Sequence, residues 1–353
     1  MSVYKKIAAG LLALSMIFSL AACADTSWAA KTNDKEIKAG VYISYQMMAY
    51  YEAATKNGDG KELFDKNTKI EDKSAENWIN DKALADLKRY VAVNAEFDKL
   101  GLEFTEKDQN VVKVAADGAW AENQKNFEKN GISKESYANC IANARKEGKI
   151  FDKYYGEKGI EEVKDTQLKK YFTDNNVRIK IIPIQLKDGN GNLFKSEEKA
   201  AAKKMAEQYV TDANKGTDFD DLIKKYNNFY ADEVAKATGE EKQEIPEVTE
   251  EFGNEIILAK DSTQLPEKVV KDIFSKTKLD QAVIVEDNEV YFVVYKYDLL
   301  ERTELFDDAK DGILHTLKDE DFEKKIDTLV GEIDFVVNKD AIERYSPLNL
   351  KFQ

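Results

Sequence analysis

The fold is decided by the stretch Asn176-Val-Arg-Ile-Lys-Ile-Ile-Pro-Ile-Gln-Leu186. Basic or polar residues alternate here with β-branched residues, which is the period of two that is typical of a strand with one buried face. The segment Asp188-Gly-Asn-Gly-Asn192 then supplies residues that turn the chain. We therefore predict a strand that ends in a tight turn.

The residues that follow predict helices and a hairpin. From Ser196 the apolar residues recur at helical spacing, and Gly216 is placed to end this helix. Pro266 opens another helix, and residues 283–285 and 290–295 flank a polar turn as in a β-hairpin. Between the helix that ends at Gly216 and the helix that Pro266 opens, a shorter amphipathic helix is predicted from the apolar stripe Phe219, Leu222, Ile223 and Tyr226. Residues 176–302 therefore read as one small α+β domain.

This segment resembles the parvulin domain of the PrsA and SurA foldases. The resemblance lies in the first strand, the alanine- and lysine-rich helix, Lys215-Gly-Thr-Asp-Phe219, and the closing strand Tyr291-Phe-Val-Val294. These pieces occur in the same order and at the same spacing as in the family. The segment 231–264 departs from the pattern, because it lacks a double glycine and carries an acidic, lysine-rich insert.

The resemblance also implies where a prolyl isomerase pocket would lie. Active parvulins carry two histidines on adjacent strands, and the first would fall at Ile181 and the second at Tyr291 or Phe292. The segment that usually adds apolar residues to the proline pocket contains Leu265, and the one histidine of the chain is His315, outside residues 176–302. We therefore expect a degenerate pocket with weak or no isomerase activity, and we assign no catalytic residue.

Long helical segments lie on both sides of this domain. Caps and apolar stripes predict helices over 35–53, from about Ala75, from Thr105 with Asp108, from Ser133 and over 165–172, and again beyond Arg302. The family resemblance covers these flanks as well. The predicted fold class is α+β: a mostly helical, discontinuous chaperone lobe made of residues 36–175 and 303–353, with the small parvulin-like α+β domain inserted between them.

The first residues have the pattern of a secretion signal. Lys5-Lys6 precede an apolar run over 7–20, which is too short for a comfortable membrane span and ends in Leu20-Ala-Ala-Cys23. This ending resembles a bacterial lipobox, which implies a lipoprotein signal peptide over 1–22, lipid attachment at Cys23 and a lipidated tether over 23–35. The alternative is an ordinary signal cleaved after an alanine such as Ala29 or Ala30, with Cys23 incidental.

Composition and the remaining motifs limit the kind of function. The chain has 53 basic and 67 acidic residues and a formal net charge of −14, which argues against nucleic-acid binding. The sequence has no phosphate loop, dinucleotide fingerprint or Cys/His metal cluster, so we expect neither a cofactor nor a metal. Cys140 has apolar neighbours at helical spacing and is predicted to be a small buried side chain. His315 is predicted to lie on a solvated helix face.

The helix predicted over 35–53 is apolar nearly all round. Core packing explains this pattern, but Met47, Met48, Tyr50 and Tyr51 could instead line a groove for unfolded chains, since methionine adapts to varied partners.

Three functions remain open at this point. The first is a chaperone for unfolded or newly secreted polypeptides, lipid-anchored at Cys23 to the outer face of a bacterial cytoplasmic membrane. The second is an active parvulin-type peptidyl-prolyl isomerase. The third is a solute-binding lipoprotein, which fits less well because such proteins are built from parallel strand–helix units. A homodimer stays open as the assembly.

Overall fold

The computed structural model describes residues 27–32, 35–58, 62–65, 67–188, 191–244 and 253–352. The predicted signal peptide and Cys23 lie outside the described residues. The described residues are 62% helical and form small antiparallel sheets, so the predicted α+β class is confirmed.

The packing of the Cα atoms divides the chain into two compact units. The terminal unit contains the described residues up to Glu162 together with those from Leu317 onward, and the central unit is Val163–Thr316. The central unit includes the predicted inserted domain 176–302 and extends beyond it on both sides. The independent folding of 176–302 stays a prediction.

Helices with well-defined starts form most of the terminal unit. Thr105 and Asp108 form the predicted capping box, and the Ser133 side chain accepts a hydrogen bond from the N–H of Ser136 at the start of the next helix. Helix α1 packs on α2 and α4, and α3 packs on α4. The helices are α1 (Ala39–Asn57), α2 (Ala75–Lys99), α3 (Glu106–Lys129) and α4 (Lys134–Tyr155).

Short strands at the start of this unit correct two predictions. Strand β1 (Trp28–Lys31) lies where a tether was expected, and β2 (Glu36–Lys38) lies where the first helix was expected to begin. The two strands pair antiparallel, and β1 also pairs with β9 (Val336–Val337). Because this pairing satisfies the backbone and buries Ala29 and Ala30, these residues take an extended conformation. A second small hairpin joins β3 (Lys69–Ile70) to β4 (Lys73–Ser74).

The first helix is enclosed as its composition predicts. Ten of its residues are buried, including polar Ser44 and Gln46. Helix α9 (Thr303–Glu332), α10 (Lys339–Arg344) and the 3-10 turn Pro347–Asn349 complete the described chain. Leu317 of α9 is exposed, although its spacing places it on the apolar stripe.

The central unit is built around a sheet. Its described strands run antiparallel in the order β6-β5-β8-β7. The predicted first strand and the closing hairpin are confirmed, whereas β6 was not predicted. In chain order the elements are α5 (Asp165–Asn175), β5 (Asn176–Gln185), α6 (Ser196–Asn214), α7 (Phe219–Thr238), β6 (Ile256–Ala259), α8 (Glu267–Lys276), β7 (Ala282–Glu286) and β8 (Val290–Tyr297).

Helices cover both faces of this sheet. Ile182 and Ile184 pack with residues of α6 and α7, whereas Val177 and Ile179 pack with residues of α8 on the other face. The prediction that β5 has only one buried face is therefore wrong. The alternation of β5 separates two covered faces rather than core from solvent.

The second helix of the central unit is longer than predicted. Asp218 caps α7 by accepting hydrogen bonds from two backbone N–H groups, and the helix runs to Thr238. It ends at Gly239, whose φ of 73° is a left-handed conformation that glycine adopts without strain. Part of the predicted insert is thus helical.

Candidate functional site

The structure brings together three of the four predicted pocket positions. Ile181, Leu265 and Phe292 belong to one apolar cluster on the α8 face of the sheet. Ile181 pairs with Val294 in the ladder, so Phe292, two residues away, lies on the same face. Tyr291 packs on the opposite face. Of the two residues proposed for the second histidine position, Phe292 is therefore the one that neighbours Ile181.

This cluster offers packing and no acid–base chemistry. Its side chains carry neither a proton donor nor an acceptor, so they cannot hydrogen-bond to a substrate carbonyl. The cluster is closed by residues of β5, β6, β7, β8 and α8, namely Val177, Ile179, Leu258, Val269, Val270, Ile273, Val285 and Val294. The barrier to rotation about a peptide bond is about 18–20 kcal/mol. An isomerase that used this face would have to lower it through the shape of the apolar surface alone, without hydrogen bonds from side chains.

The opposite face carries buried charge that the sequence analysis missed. Arg178 donates a hydrogen bond to Glu255 at 2.5 Å, and the two side chains are only 7% and 4% exposed. Arg302 approaches the other carboxylate oxygen of Glu255 at 3.2 Å. Next to them, Lys180 pairs with Asp220 at 2.5 Å. The sequence contains one indication of this buried charge. The basic residues at 178 and 180 alternate along the predicted strand with the same period as the isoleucines at 182 and 184, so all four side chains share one face.

These ion pairs position the sheet and do not form a catalytic centre. The hydrogen bond to Glu255 is the largest cause that raises the pKa of the Arg178 guanidinium. Arg178 also donates to the Asp298 carbonyl at 3.0 Å and lies 5.2 Å from the centre of the Tyr297 ring. A guanidinium held in this way stays protonated and cannot act as a general base.

Cys140 and His315 also lack the setting of catalytic residues. Cys140 is buried as predicted, and burial raises the pKa of its thiol to about 12, so very little thiolate exists at neutral pH. His315 is exposed on α9, as expected. In the described part of the chain, no group of His, Cys, Asp and Glu side chains could hold a metal ion. None of the described helices is long and apolar enough to cross a membrane.

The predicted client-binding residues divide between core and surface. Met47 is 4% exposed, so the expectation that it lines a groove is wrong: it packs into the core of the terminal unit. Met48 is 40% exposed and Tyr51 is 51% exposed, one helical turn apart on α1. Tyr50 is half-buried.

Aromatic residues distant in sequence surround these side chains. The Tyr50 ring stacks on Phe352 with centroids 4.3 Å apart, and it lies 5.8 Å from Phe64. The Tyr51 ring meets the edge of Phe352 at 5.5 Å. We call Met48, Tyr50, Tyr51, Phe64 and Phe352 the aromatic patch. Sequence reasoning missed Phe64 and Phe352, because neither shares a periodic element with α1.

Charged groups border the aromatic patch. Lys56, one turn beyond Glu52 on α1, lies 2.7 Å from Glu71 and 3.7 Å from Glu52. The indole N–H of Trp78 donates to Glu71 at 3.0 Å. An apolar centre with a polar rim is the usual arrangement of a surface that binds other polypeptides.

Comparison with known proteins gives a structural similarity only. No family model and no curated protein matches the sequence. The chain is similar to the foldase protein PrsA from Streptococcus pneumoniae, with 18% identity, 78% of this chain and 88% of that chain covered, and a TM-score of 0.30. PrsA from Lactococcus lactis is 14% identical, with 92% of this chain and 100% of that chain covered and a TM-score of 0.33. PrsA from Bacillus subtilis is 16% identical, with 76% of this chain and 84% of that chain covered and a TM-score of 0.22. TM-scores this low leave the fold and the function to be argued from the chain itself.

Proposed function

We propose that this chain is an extracytoplasmic chaperone that binds unfolded, newly secreted polypeptides. The aromatic patch is the observation that carries the proposal. Single exposed apolar residues are common on protein surfaces, but here exposed Tyr51 belongs to a group of four aromatic rings from α1, a loop and the C-terminal segment, and exposed Met48 lies one helical turn before it. An unfolded client exposes apolar side chains, and these would be partly removed from water on such a surface.

The chemistry of the patch suits varied clients. Methionine and tyrosine make large apolar contacts without requiring one fixed partner shape. The net charge of −14 keeps a complex with an exposed client soluble by repulsion between complexes. Neither property favours a particular client sequence, and a general chaperone must bind clients of many different sequences.

The central unit serves in this proposal as a scaffold or client-binding domain with weak or no isomerase activity. Support comes from the apolar cluster around Ile181, Leu265 and Phe292, which offers no hydrogen-bonding side chain to a prolyl bond. The solute-binding alternative finds no support, because the described sheets are antiparallel. We assign no cofactor to the protein.

Anchoring at the outer face of a bacterial cytoplasmic membrane completes the proposal. It rests on the lipobox-like Leu20-Ala-Ala-Cys23 at the end of a short apolar run. A lipid on Cys23 would hold the chaperone where secreted chains emerge.

The test is suppression of aggregation of an unfolded secreted protein by residues 24–353. Replacing the two exposed patch residues, Met48→Ser with Tyr51→Ser, should abolish most of the suppression. The matched control is Val111→Ser with Val114→Ser, which removes two exposed apolar side chains from α3, away from the patch. Circular dichroism verifies that both variants are folded. Equal suppression by the two variants would refute the patch as the client surface.

A further inference from the structure

The sheet of the terminal unit, in the order β2-β1-β9, has one covered face and one exposed face. Ala30 lies opposite Ile37 of β2 and opposite Val337 of β9, and both Ala30 and Ile37 pack into the core of the unit. Residues that pair across a ladder place their side chains on the same face, and the next residue along each strand points to the other face. Lys31 and Val336 therefore lie on the exposed face.

Apolar side chains occupy part of this exposed face. Val336, which pairs with Lys31, is 57% exposed. The irregularity between Trp28 and Ala30 turns Trp28 to the side of Lys31, whose Nζ lies 4.2 Å from the centre of the indole ring. Trp28 is half-buried and pairs across the ladder with Lys38. We call Trp28, Lys31, Lys38 and Val336 the sheet surface.

The charges at the sheet surface are balanced. Lys31 lies 2.6 Å from Glu36, and Lys38 lies 2.8 Å from Glu135 of α4, so each lysine has an acidic partner. All four side chains are exposed or nearly so, whereas the chain as a whole carries a net charge of −14. A face without excess negative charge avoids the repulsion that an acidic surface meets at a membrane of anionic lipids.

The position of Trp28 in the sequence brings the sheet surface close to the predicted lipid anchor. Trp28 is five residues beyond Cys23. At about 3.3–3.6 Å per residue, the chain between them spans at most about 18 Å. A lipid on Cys23 would hold that end of the span at the bilayer. The strand that carries Trp28 could then move only this far from the membrane.

We propose that the sheet surface lies against the lipid headgroups of the membrane to which Cys23 tethers the protein. Tryptophan is enriched at membrane–water interfaces, because its ring is apolar and its N–H is polar. Lysines beside it can keep their ammonium groups at the level of the phosphates while their stems cover apolar surface. This role rests on the proposed function, since it specifies which face of the anchored chaperone is turned towards the membrane.

The experiment couples residues 23–353 through the Cys23 thiol to a maleimide lipid in vesicles of phosphatidylcholine and phosphatidylglycerol. Cys140 is buried and the pKa of its thiol is raised to about 12, so it reacts little at neutral pH. Lipids brominated on the acyl chains near the headgroup quench tryptophan only at contact, which a tether alone does not provide. We expect quenching that is lost in Trp28→Phe, because the other two tryptophans, Trp78 and Trp120, are buried.

A second variant tests the sheet surface without changing the fluorophore. Val336→Asp should remove at least half of the quenching, because its carboxylate is repelled by anionic lipids and is costly to take out of water. Val114→Asp on α3 is the matched control, since Val114 is 62% exposed, and it should leave the quenching unchanged. Circular dichroism verifies that both variants are folded.

Two results would overturn the membrane contact. The first is the absence of quenching that depends on Trp28, or equal quenching in the Val336→Asp and Val114→Asp variants. The second is a dimer of the uncoupled protein that Val336→Asp dissociates, which would assign the sheet surface to a second copy of the chain.

The maleimide supplies the tether chemically, so this experiment does not depend on lipidation in the cell. Quenching through Trp28, together with a Cys23→Ala variant that stays in the membrane fraction, would keep the sheet surface and remove the lipid anchor. Release of the Cys23→Ala variant without quenching through Trp28 would keep the anchor and remove the sheet surface.

Discussion

At the scale of single residues, Asp108 joins two helices of the terminal unit. Its carboxylate accepts hydrogen bonds from the N–H and the hydroxyl of Thr105 at 3.0 and 2.7 Å, which caps α3. The same carboxylate pairs with Arg145 and Lys149 of α4. The Thr105 hydroxyl and the two cations hold the pKa of Asp108 well below its ordinary value.

We expect Asp108→Asn to lower the free energy of unfolding by about 1.5–3 kcal/mol at pH 7, because the buried carboxylate loses its charge-assisted contacts with the partly exposed Arg145 and Lys149. Because the pKa of Asp108 is lowered in the folded state, its ionised carboxylate stabilises the fold at pH values above the unfolded pKa of about 4. This stabilisation is lost as the pH falls towards the folded pKa. The difference between wild type and variant should therefore shrink below about pH 4. Urea unfolding at several pH values measures this.

Asp117→Asn is the matched control for that measurement. Asp117 also pairs with two lysines, Lys113 and Lys134, but its carboxylate is exposed and its ion pairs are screened by water. Its substitution should destabilise far less. An equal loss at both positions would contradict the role assigned to Asp108.

Cys23 provides a second prediction at this scale. Cys23→Ala should release the protein from the membrane fraction, since the lipid would have no attachment site. Cys140→Ala, which changes a buried thiol in the folded body, should leave the protein membrane-bound. Fractionation and mass spectrometry of the mature N-terminus decide the matter. Retention of the Cys23 variant in the membrane would rule out the anchor.

At the scale of elements, α5 and the first half of α9 decide where the central unit ends. Leu168 and Phe172 of α5 and Phe306 of α9 are buried, and the Phe172 and Phe306 rings lie 5.8 Å apart. Lys310 of α9 adds an ion pair with Asp165 at 2.5 Å. These contacts are missing from a fragment limited to 176–302.

We expect residues 176–302 to fold alone, and residues 163–316 to unfold at a higher urea concentration. The longer fragment retains the packing between α5 and α9, and burying each aromatic ring stabilises it by about 1.5–3 kcal/mol. Phe306→Ala in the longer fragment should move its midpoint towards that of the shorter one. Identical midpoints for the two fragments would contradict this assignment of the boundary.

Elements with local signals could be predicted from the sequence, and elements that depend on distant partners could not. Thr105 and Ser133 mark their helices because capping is satisfied within one turn. Strands β1 and β6 are short, and both pair with residues far along the chain: β1 with β9, in addition to its neighbour β2, and β6 with β5. Burial of Arg178 depends in the same way on Glu255, which local periodicity does not reveal.

The candidate sites follow the same division. Ile181, Leu265 and the pair Tyr291 or Phe292 were named from the family resemblance, and the structure then places Phe292, not Tyr291, in the cluster with Ile181 and Leu265. The aromatic patch could be located only in part, because Phe352 reaches Tyr50 through the fold of the C-terminal segment.

At the scale of the whole molecule, the two ends of the chain build one unit. The N–H of Asn338 donates to the Ala29 carbonyl at 2.8 Å, and Asn130 exchanges hydrogen bonds with the Lys351 backbone. The C-terminal segment thereby supplies Phe352 to the aromatic patch. The aromatic patch therefore depends on a terminal unit that is complete.

We propose above all that the protein holds unfolded chains and has weak or no prolyl-isomerase activity. One measurement tests it directly: the refolding of a secreted protein whose slow phase is limited by an X-Pro bond, followed with and without residues 24–353. Such phases last tens to hundreds of seconds, so one trace gives both the rate constant and the final yield. We expect the yield of native protein to rise while the rate constant of the slow phase stays unchanged. A rate constant that increases in proportion to the added protein, with no gain in yield, would contradict the account.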